Sequence, residues 1–258
     1  MPRSIWNGTI LLGRIPIAVK VFSAIEDRTI HFHQVHASDG ERLHQRRICA
    51  KENREIPSDQ IVMGYKRSGG DYVVLEKDEI AAAAGDRAHV IELEEFVHTE
   101  EIDPDFFERT YHLGAQSEDA RGPYRLLHDG LARTGRTGLG RWVFHNREYL
   151  VAVRAVEELV VLHTMRFAAE LVDPHKLDVP RAKRSPTKRE VDMAGRLVDS
   201  LHARFTSAEF SDSYRERVLA LIDAKARGET PEVAPEAPRD RDTDLAAALE
   251  ASLSGSRG

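Results

Sequence analysis

Cysteine is almost missing: Cys49 is the single one in 258 residues. One thiol can make neither an internal disulfide nor a cysteine-based zinc site. Long apolar runs are missing too. Uncharged ones such as Leu159 to Leu162 are far too short to cross a bilayer. The opening Met1-Pro2-Arg3-Ser4-Ile5-Trp6-Asn7 lacks the apolar stretch of a secretory leader. Together these absences predict a soluble, cytoplasmic chain with no membrane partner. Lysine is scarce, 8 against 29 arginines. A GC-rich genome accounts for most of that bias, although arginine's planar fork also grips phosphate at two points. Phosphate-cradling loops are lacking as well. Arg67-Ser68-Gly69-Gly70-Asp71 and Gly135–Gly140 do not follow a strand and open a helix, so both read as turns.

What is present is an ordinary supply of core material, 41% hydrophobic and 31% charged residues, enough for one large domain or two small ones. The net charge of −6 hides a segregation along the chain. Residues 1–70 carry +4, residues 71–120 carry −12, residues 121–190 carry +6 and residues 191–258 carry −4. Two basic blocks therefore flank an acidic one, and a basic face can coexist with an acidic exterior. Plain solvation explains such charges about equally well.

Up to about residue 165 the pattern is mainly β. Ile15, Ile17, Val19 and Val21 alternate with Pro16, Ala18 and Lys20, giving one apolar strand face after a turn at Gly13, with Pro16 fitting a strand start or an edge. Strands are also expected at Thr29–Val35, Tyr72–Leu75, His89–Leu93 and Leu159–Thr164, and as a hairpin of Arg141–Phe144 and Tyr149–Val153 with His145-Asn146-Arg147-Glu148 at its tip. Many short strands favour a barrel or a sandwich. Asp78 is placed to cap a short helix through Ala84, and Pro123 opens another, with Tyr124, Leu127 and Leu131 on one face. Beyond about residue 175 the period becomes helical. Thr187 and Glu190 have capping-box spacing ahead of Val191, Ala194, Leu197, Val198, Leu201 and Phe205. A further helix is expected from Ser213 to a stop at Gly228, with Tyr214, Val218, Leu221 and Ile222 inward. Glu229–Asp242 has linker composition, and Asp244–Leu253 is a short Ala/Leu helix suited to folding on a partner.

The chemistry-bearing residues do not assemble into an active site. His31 and His33 would share a strand face, with His36 nearby, but no further ligand sits at a familiar metal spacing, so packing roles are the simpler reading. Cys49 has cationic neighbours but no histidine base. The Glu94-Glu95 and Glu100-Glu101 pairs fit a solvated face. An amine at Pro2 or a lysine would allow Schiff-base chemistry on an abasic sugar, as a side activity at most. The cations make a better case. Arg42, Arg46, Arg47 and Lys51 cluster, as do Arg133, Arg136, Arg141 and Arg147, and spread cations suit phosphate contacts. Aromatics are not interleaved with them, which argues against single-strand binding.

The residues in order also carry a family signature. Arg3-Ser4-Ile5-Trp6-Asn7-Gly8-Thr9-Ile10 followed by Ile15-Pro16-Ile17-Ala18-Val19-Lys20 resembles the start of bacterial Ku proteins. Phe32-His33-Gln34-Val35-His36, Gly64-Tyr65-Lys66, Tyr72-Val73-Val74-Leu75, Glu101-Ile102-Asp103-Pro104, Tyr111-His112-Leu113 and Arg147–Arg154 with Thr164-Met165-Arg166-Phe167-Ala168 continue the likeness to about residue 228. The resemblance implies a Ku-like β-barrel core with an extended arm over residues 1–175, a helical region over 176–228 that docks on the core or a partner, and a tail over 229–258. It implies a homodimeric ring that threads onto ends of double-stranded DNA without reading sequence. It also implies recruitment of an ATP-dependent DNA ligase for non-homologous end joining, no cofactor and no catalysis. The place of action would be the bacterial nucleoid. The arm would span roughly 35–70 and part of 115–150, the two basic blocks. The phosphate contacts expected from this are Arg42, Arg46, Arg47, Lys51, Lys66, Arg141, Arg147 and Arg154. Where some relatives carry several cysteines this chain has Cys49 alone, so a structural zinc is not expected, and the tail lacks a lysine-rich extension. The rival reading is a protein that coats intact duplex without needing ends.

Overall fold

A computed structural model describes residues 3–83, 89–145, 147–180 and 184–229. The strands are Trp6–Leu12 (β1), Ile15–Ser23 (β2), Met63–Lys66 (β3), Tyr72–Leu75 (β4), Val90–His98 (β5), Phe107–Ala115 (β6), Arg136–Phe144 (β7), Arg147–Val156 (β8) and Leu159–Met165 (β9). The helices are Lys77–Ala82 (α1), Arg121–Thr134 (α2), Lys188–Ser200 (α3) and Ser213–Ala226 (α4). Two compact units result, one of Met1–Arg28 with Phe32–Lys176, the other of Thr29–His31 with Leu177–Gly258.

The first unit holds a closed barrel in the order β1-β2-β6-β9-β8-β7-β5, so the chain is mainly β, as the strand pattern predicts. Every seam is antiparallel except β1 with β5, where Thr9 faces Val90 and Leu12 faces Leu93. Closure removes the unpaired edges that an open sheet would leave. Alternation decides what fills it. Ile17, Val19 and Val21 of β2 are completely buried, with Ile10, Ile91, Leu113, Val151, Val153, Val160 and Leu162 beside them. Each such side chain is worth about 1.5–3 kcal/mol when fully removed from water. Trp142 lies at the centre, stacked on Phe144 at 4.5 Å and met edge-on by Trp6 at 5.6 Å and Tyr111 at 5.5 Å. Gly140 is where the β7 backbone comes closest to β5: a Cβ there would sit 2.2 Å from the Glu92 carbonyl oxygen.

Helix α2 packs on the barrel through Leu127 and Leu131 and is pinned by three side chains. The Tyr124 hydroxyl donates to the Leu113 carbonyl (2.8 Å) and accepts from the Val160 amide (2.9 Å), spanning the β6–β9 seam. Buried His128 bonds the Glu157 carbonyl through Nε2 and Asp129 through Nδ1, each at 2.8 Å. Its pKa is raised, chiefly by the Asp129 bond. Arg125 ties Asp129 to Glu158 at the β8–β9 turn.

Residues 23–83 form a long excursion between β2 and β5 in which no described residue is buried. It contains three turn-backs in succession. Val35 pairs Arg42 and Ile48 pairs Glu55 as isolated bridges, and β3 pairs β4 over four residues. The sharp turns use Gly40 (φ +76°) and Gly70 (φ +93°), a backbone region that glycine enters without a Cβ penalty.

In the second unit, the Thr187–Glu190 capping box forms as its spacing predicts. The Arg184 guanidinium grips both Glu190 oxygens, at 2.8 and 3.1 Å, and holds that carboxyl down to about 2. Asp212 caps α4 by accepting from the Arg215 amide.

Several expectations are corrected. Thr29–Val35 forms no strand beyond the Val35–Arg42 bridge, because among the described residues no neighbouring strand borders it, so His31 and His33 share no sheet face. The hairpin tip is shorter than expected: Arg147 and Glu148 already belong to β8, opposite Phe144 and Val143. Glu76, not Asp78, caps α1. The part of residues 115–150 expected to join the arm instead belongs to α2, β7 and β8, whose Leu127, Leu131 and Trp142 lie in the barrel core. Tyr214, Leu221 and Ile222 of α4 are exposed, not inward. Expectations at Pro2, Ala84, Asn146 and residues 230–258 lie outside the described residues.

Candidate nucleic-acid interface

The excursion of residues 23–83 has the properties of a surface that needs a partner. Its ribbon β3–β4 is exposed on both faces, and a lone two-stranded hairpin is marginal in water. The register separates two kinds of side chain. Met63 with Leu75 and Tyr65 with Val73 make one apolar face. Lys66 with Tyr72 and Gly64 with Val74 make the other, where the Tyr72 ring passes over Gly64.

The eight expected phosphate contacts divide by electrostatic state. Arg42, Arg47, Lys51 and Lys66 lie on the excursion, are exposed, and have no carboxylate partner among the described residues. Arg46 is there too but bonds Glu55 at 3.3 Å. The other three lie on the barrel strands. Arg141 reaches Glu148 at 3.1 Å and Glu94 at 3.4 Å, which places part of the acidic block directly over a basic candidate. Arg147 bonds Glu170 at 2.5 Å, and its guanidinium stands 4.9 Å from the Tyr149 ring centre. Arg154 has no carboxylate partner among the described residues; its Nε donates to His163 Nε2 at 3.0 Å. A carboxylate-paired arginine must surrender its partner to take a phosphate, whereas an unpaired cation releases a phosphate counterion at full value.

Arg67, beside Lys66 at the β3–β4 turn, is an exposed cation of the same kind that the sequence reading passed over. Its signal was the turn itself: Arg67 donates its amide to the Asp71 carbonyl and accepts from Gly70, leaving the side chain at a hairpin tip. Among the described residues no group of three or more His, Cys, Asp or Glu side chains is gathered so as to hold a metal ion. No described helix is long and apolar enough to cross a membrane.

Residues 11–193 match the family model described as the Ku70/Ku80 beta-barrel domain. The chain is 38% identical to "Non-homologous end joining protein Ku" of Anaeromyxobacter sp. (strain K), over 100% of this chain and 87% of that protein. It is 36% identical to "Non-homologous end joining protein Ku 2" of Saccharopolyspora erythraea, over 99% of this chain and 84% of that one. A relative of the same description in Opitutus terrae is 34% identical, over 97% and 91% respectively.

Proposed function

The chain belongs to the Ku family, and from that premise we propose that it binds ends of double-stranded DNA in non-homologous end joining as a homodimeric ring. It does so without catalysis. The observation that carries this reading is the excursion of residues 23–83: a long segment with no buried residue, bearing cations that no carboxylate neutralises among the described residues. Phosphate contacts carry no base information, so such a segment holds duplex regardless of sequence, while a closed ring selects the free terminus by topology. The two-faced β3–β4 ribbon supports the homodimer: its apolar face suits a second copy of the chain and its Lys66 face suits DNA. Exposed Ile25, Phe32, Val35 and Ile48 elsewhere on the excursion add apolar surface that a partner copy would cover. Arg42, Arg47, Lys51 and Lys66 are the principal phosphate contacts, Arg154 supplements them, and Arg46, Arg141 and Arg147 take part only where their carboxylates release them.

Recruitment of an ATP-dependent ligase completes the function. It is assigned to residues 229–258, whose proline-rich linker and Ala/Leu segment suit a tail that folds on its partner. Ligase stimulation that survives removal of those residues would exclude the tail.

The deciding experiment titrates one plasmid, linearised or covalently closed, at fixed salt. Binding to the linear form alone, retained after its ends are sealed, is the expected result. Equal binding to both forms makes the protein a general duplex binder and removes the ring.

A further inference from the structure

We propose that His163 is a positioning residue for DNA binding: as a neutral acceptor it holds the Arg154 guanidinium in place without cancelling its charge, so that Arg154 meets a phosphate already oriented. The proposal rests on the DNA-binding reading above and deepens it.

The geometry assigns the tautomer. Arginine only donates, so the 3.0 Å bond from Arg154 Nε requires a lone pair on His163 Nε2. The single proton of a neutral ring is then on Nδ1, where it is donated to Thr110 Oγ1 at 3.1 Å. The β register makes this arrangement rigid. Thr110 and Ala152 stand directly opposite His163 on the two neighbouring strands, and Arg154 is two residues along β8 on the same face. From β6 the ring meets Thr110 and, edge-on, Phe107 at 5.1 Å; from β8 it meets Arg154. His163 is itself 8% exposed, and burial with the Arg154 charge drives its pKa down to about 4, so the acceptor form persists throughout the neutral range.

This state is unlike that of the other candidate cations. Among the described residues Arg42, Arg47, Lys51 and Lys66 have neither a compensating carboxylate nor a tether, and must give up side-chain freedom when they bind. Arg46, Arg141 and Arg147 are tethered, but by carboxylates that compete with phosphate. Among the described residues Arg154 is tethered through Nε alone, which leaves both terminal nitrogens for a fork on phosphate.

The test measures affinity of the full chain for a blunt duplex from 50 to 200 mM salt, with tryptophan fluorescence confirming the fold. Arg154→Gln is expected to flatten the log K against log salt slope by about 0.9 for every DNA-touching copy. Over that fourfold range the wild type then loses about 3.5-fold more affinity than that variant. His163→Leu leaves Arg154 charged but untethered, so it is expected to keep the wild-type slope and to bind about 2- to 10-fold more weakly at every salt concentration. With Arg154→Gln in place, adding His163→Leu is expected to weaken binding no further. His163→Gln, which restores an acceptor near the Nε2 position, is expected to keep the wild-type affinity. Should His163→Leu fail to fold, His163→Asn keeps a polar group for Thr110 but falls short of Arg154, and is expected to lose the same affinity. Nitrogen NMR of the free protein is expected to show His163 protonated on Nδ1; an Nε2 proton overturns the proposal. So does wild-type affinity in a folded His163→Leu or His163→Asn protein when Arg154→Gln is flattened. An unchanged slope in Arg154→Gln, with Lys51→Gln flattened, also overturns it while leaving DNA binding in place. Failure of the wild type to prefer linear over closed DNA strikes the underlying reading instead.

Discussion

Replacing Arg42, Arg47, Lys51 and Lys66 together by glutamine removes four charges that the fold does not use. All four are exposed, and none has a carboxylate partner among the described residues. Thermal stability should therefore stay within about 0.5 kcal/mol of the wild type. DNA binding should not. Each neutralised phosphate contact contributes about 0.9 to the salt slope, so the four together flatten it by about 3.6 per protomer. Between 50 and 200 mM salt that amounts to about a hundredfold smaller loss of affinity than the wild type suffers. The contrast is the triple replacement of Arg46, Arg141 and Arg147, whose charges are already spent on Glu55, Glu148 and Glu170. It should flatten the slope by less than about half the full value of three contacts. Fluorescence anisotropy on a short blunt duplex, repeated at four or five salt concentrations, reads both slopes. If the two sets flatten the slope equally, pairing in the free protein does not decide which cations touch phosphate. If the first set leaves it unchanged, residues 23–83 do not carry the DNA.

Three further outcomes concern the barrel that presents this surface. Tyr124→Phe leaves the Leu113 carbonyl and the Val160 amide without their partner, and should cost about 1–3 kcal/mol in urea unfolding; no loss would mean water replaces the phenol. Gly140→Ala forces a Cβ to 2.2 Å from the Glu92 carbonyl oxygen, so β5 and β7 must separate. A loss of at least about 2 kcal/mol is expected, and a wild-type melting curve would contradict the close approach. His163 is depressed from 6.5 to about 4 in the fold, so the unfolded chain binds its proton first as pH falls. Its stabilising contribution is present above pH 6.5 and is lost between there and about pH 4, by at most about 3 kcal/mol. Trp6 and Trp142, the two tryptophans of the chain, both lie in the barrel core, so their fluorescence should follow this loss; His163→Gln should remove that part of the acid sensitivity.

What was legible in the sequence is what local rules enforce. The alternation of Ile17, Val19 and Val21 could only place one face of β2 inward, and the Thr187–Glu190 spacing could only cap a helix. The Thr29–Val35 stretch shows the limit. It has strand composition, but a strand exists only where another borders it, and the described residues supply none there. α4 shows the same limit for helices: it forms, yet burial of Tyr214, Leu221 and Ile222 needed a surface that these residues do not meet.

For the candidate site the division is similar. The sequence by itself determined that cations gather in two blocks, that one cysteine offers no metal cage, and that the ordered motifs are those of the Ku family. Only the tertiary structure decided which cations remain uncompensated. Glu94 and Arg141 are far apart along the chain and meet because β5 lies beside β7; Arg154 meets His163 because β8 lies beside β9. Charge is a property of a residue, but compensation is a property of a pair. Pairs across a sheet are set by strand register, which no single stretch of sequence contains.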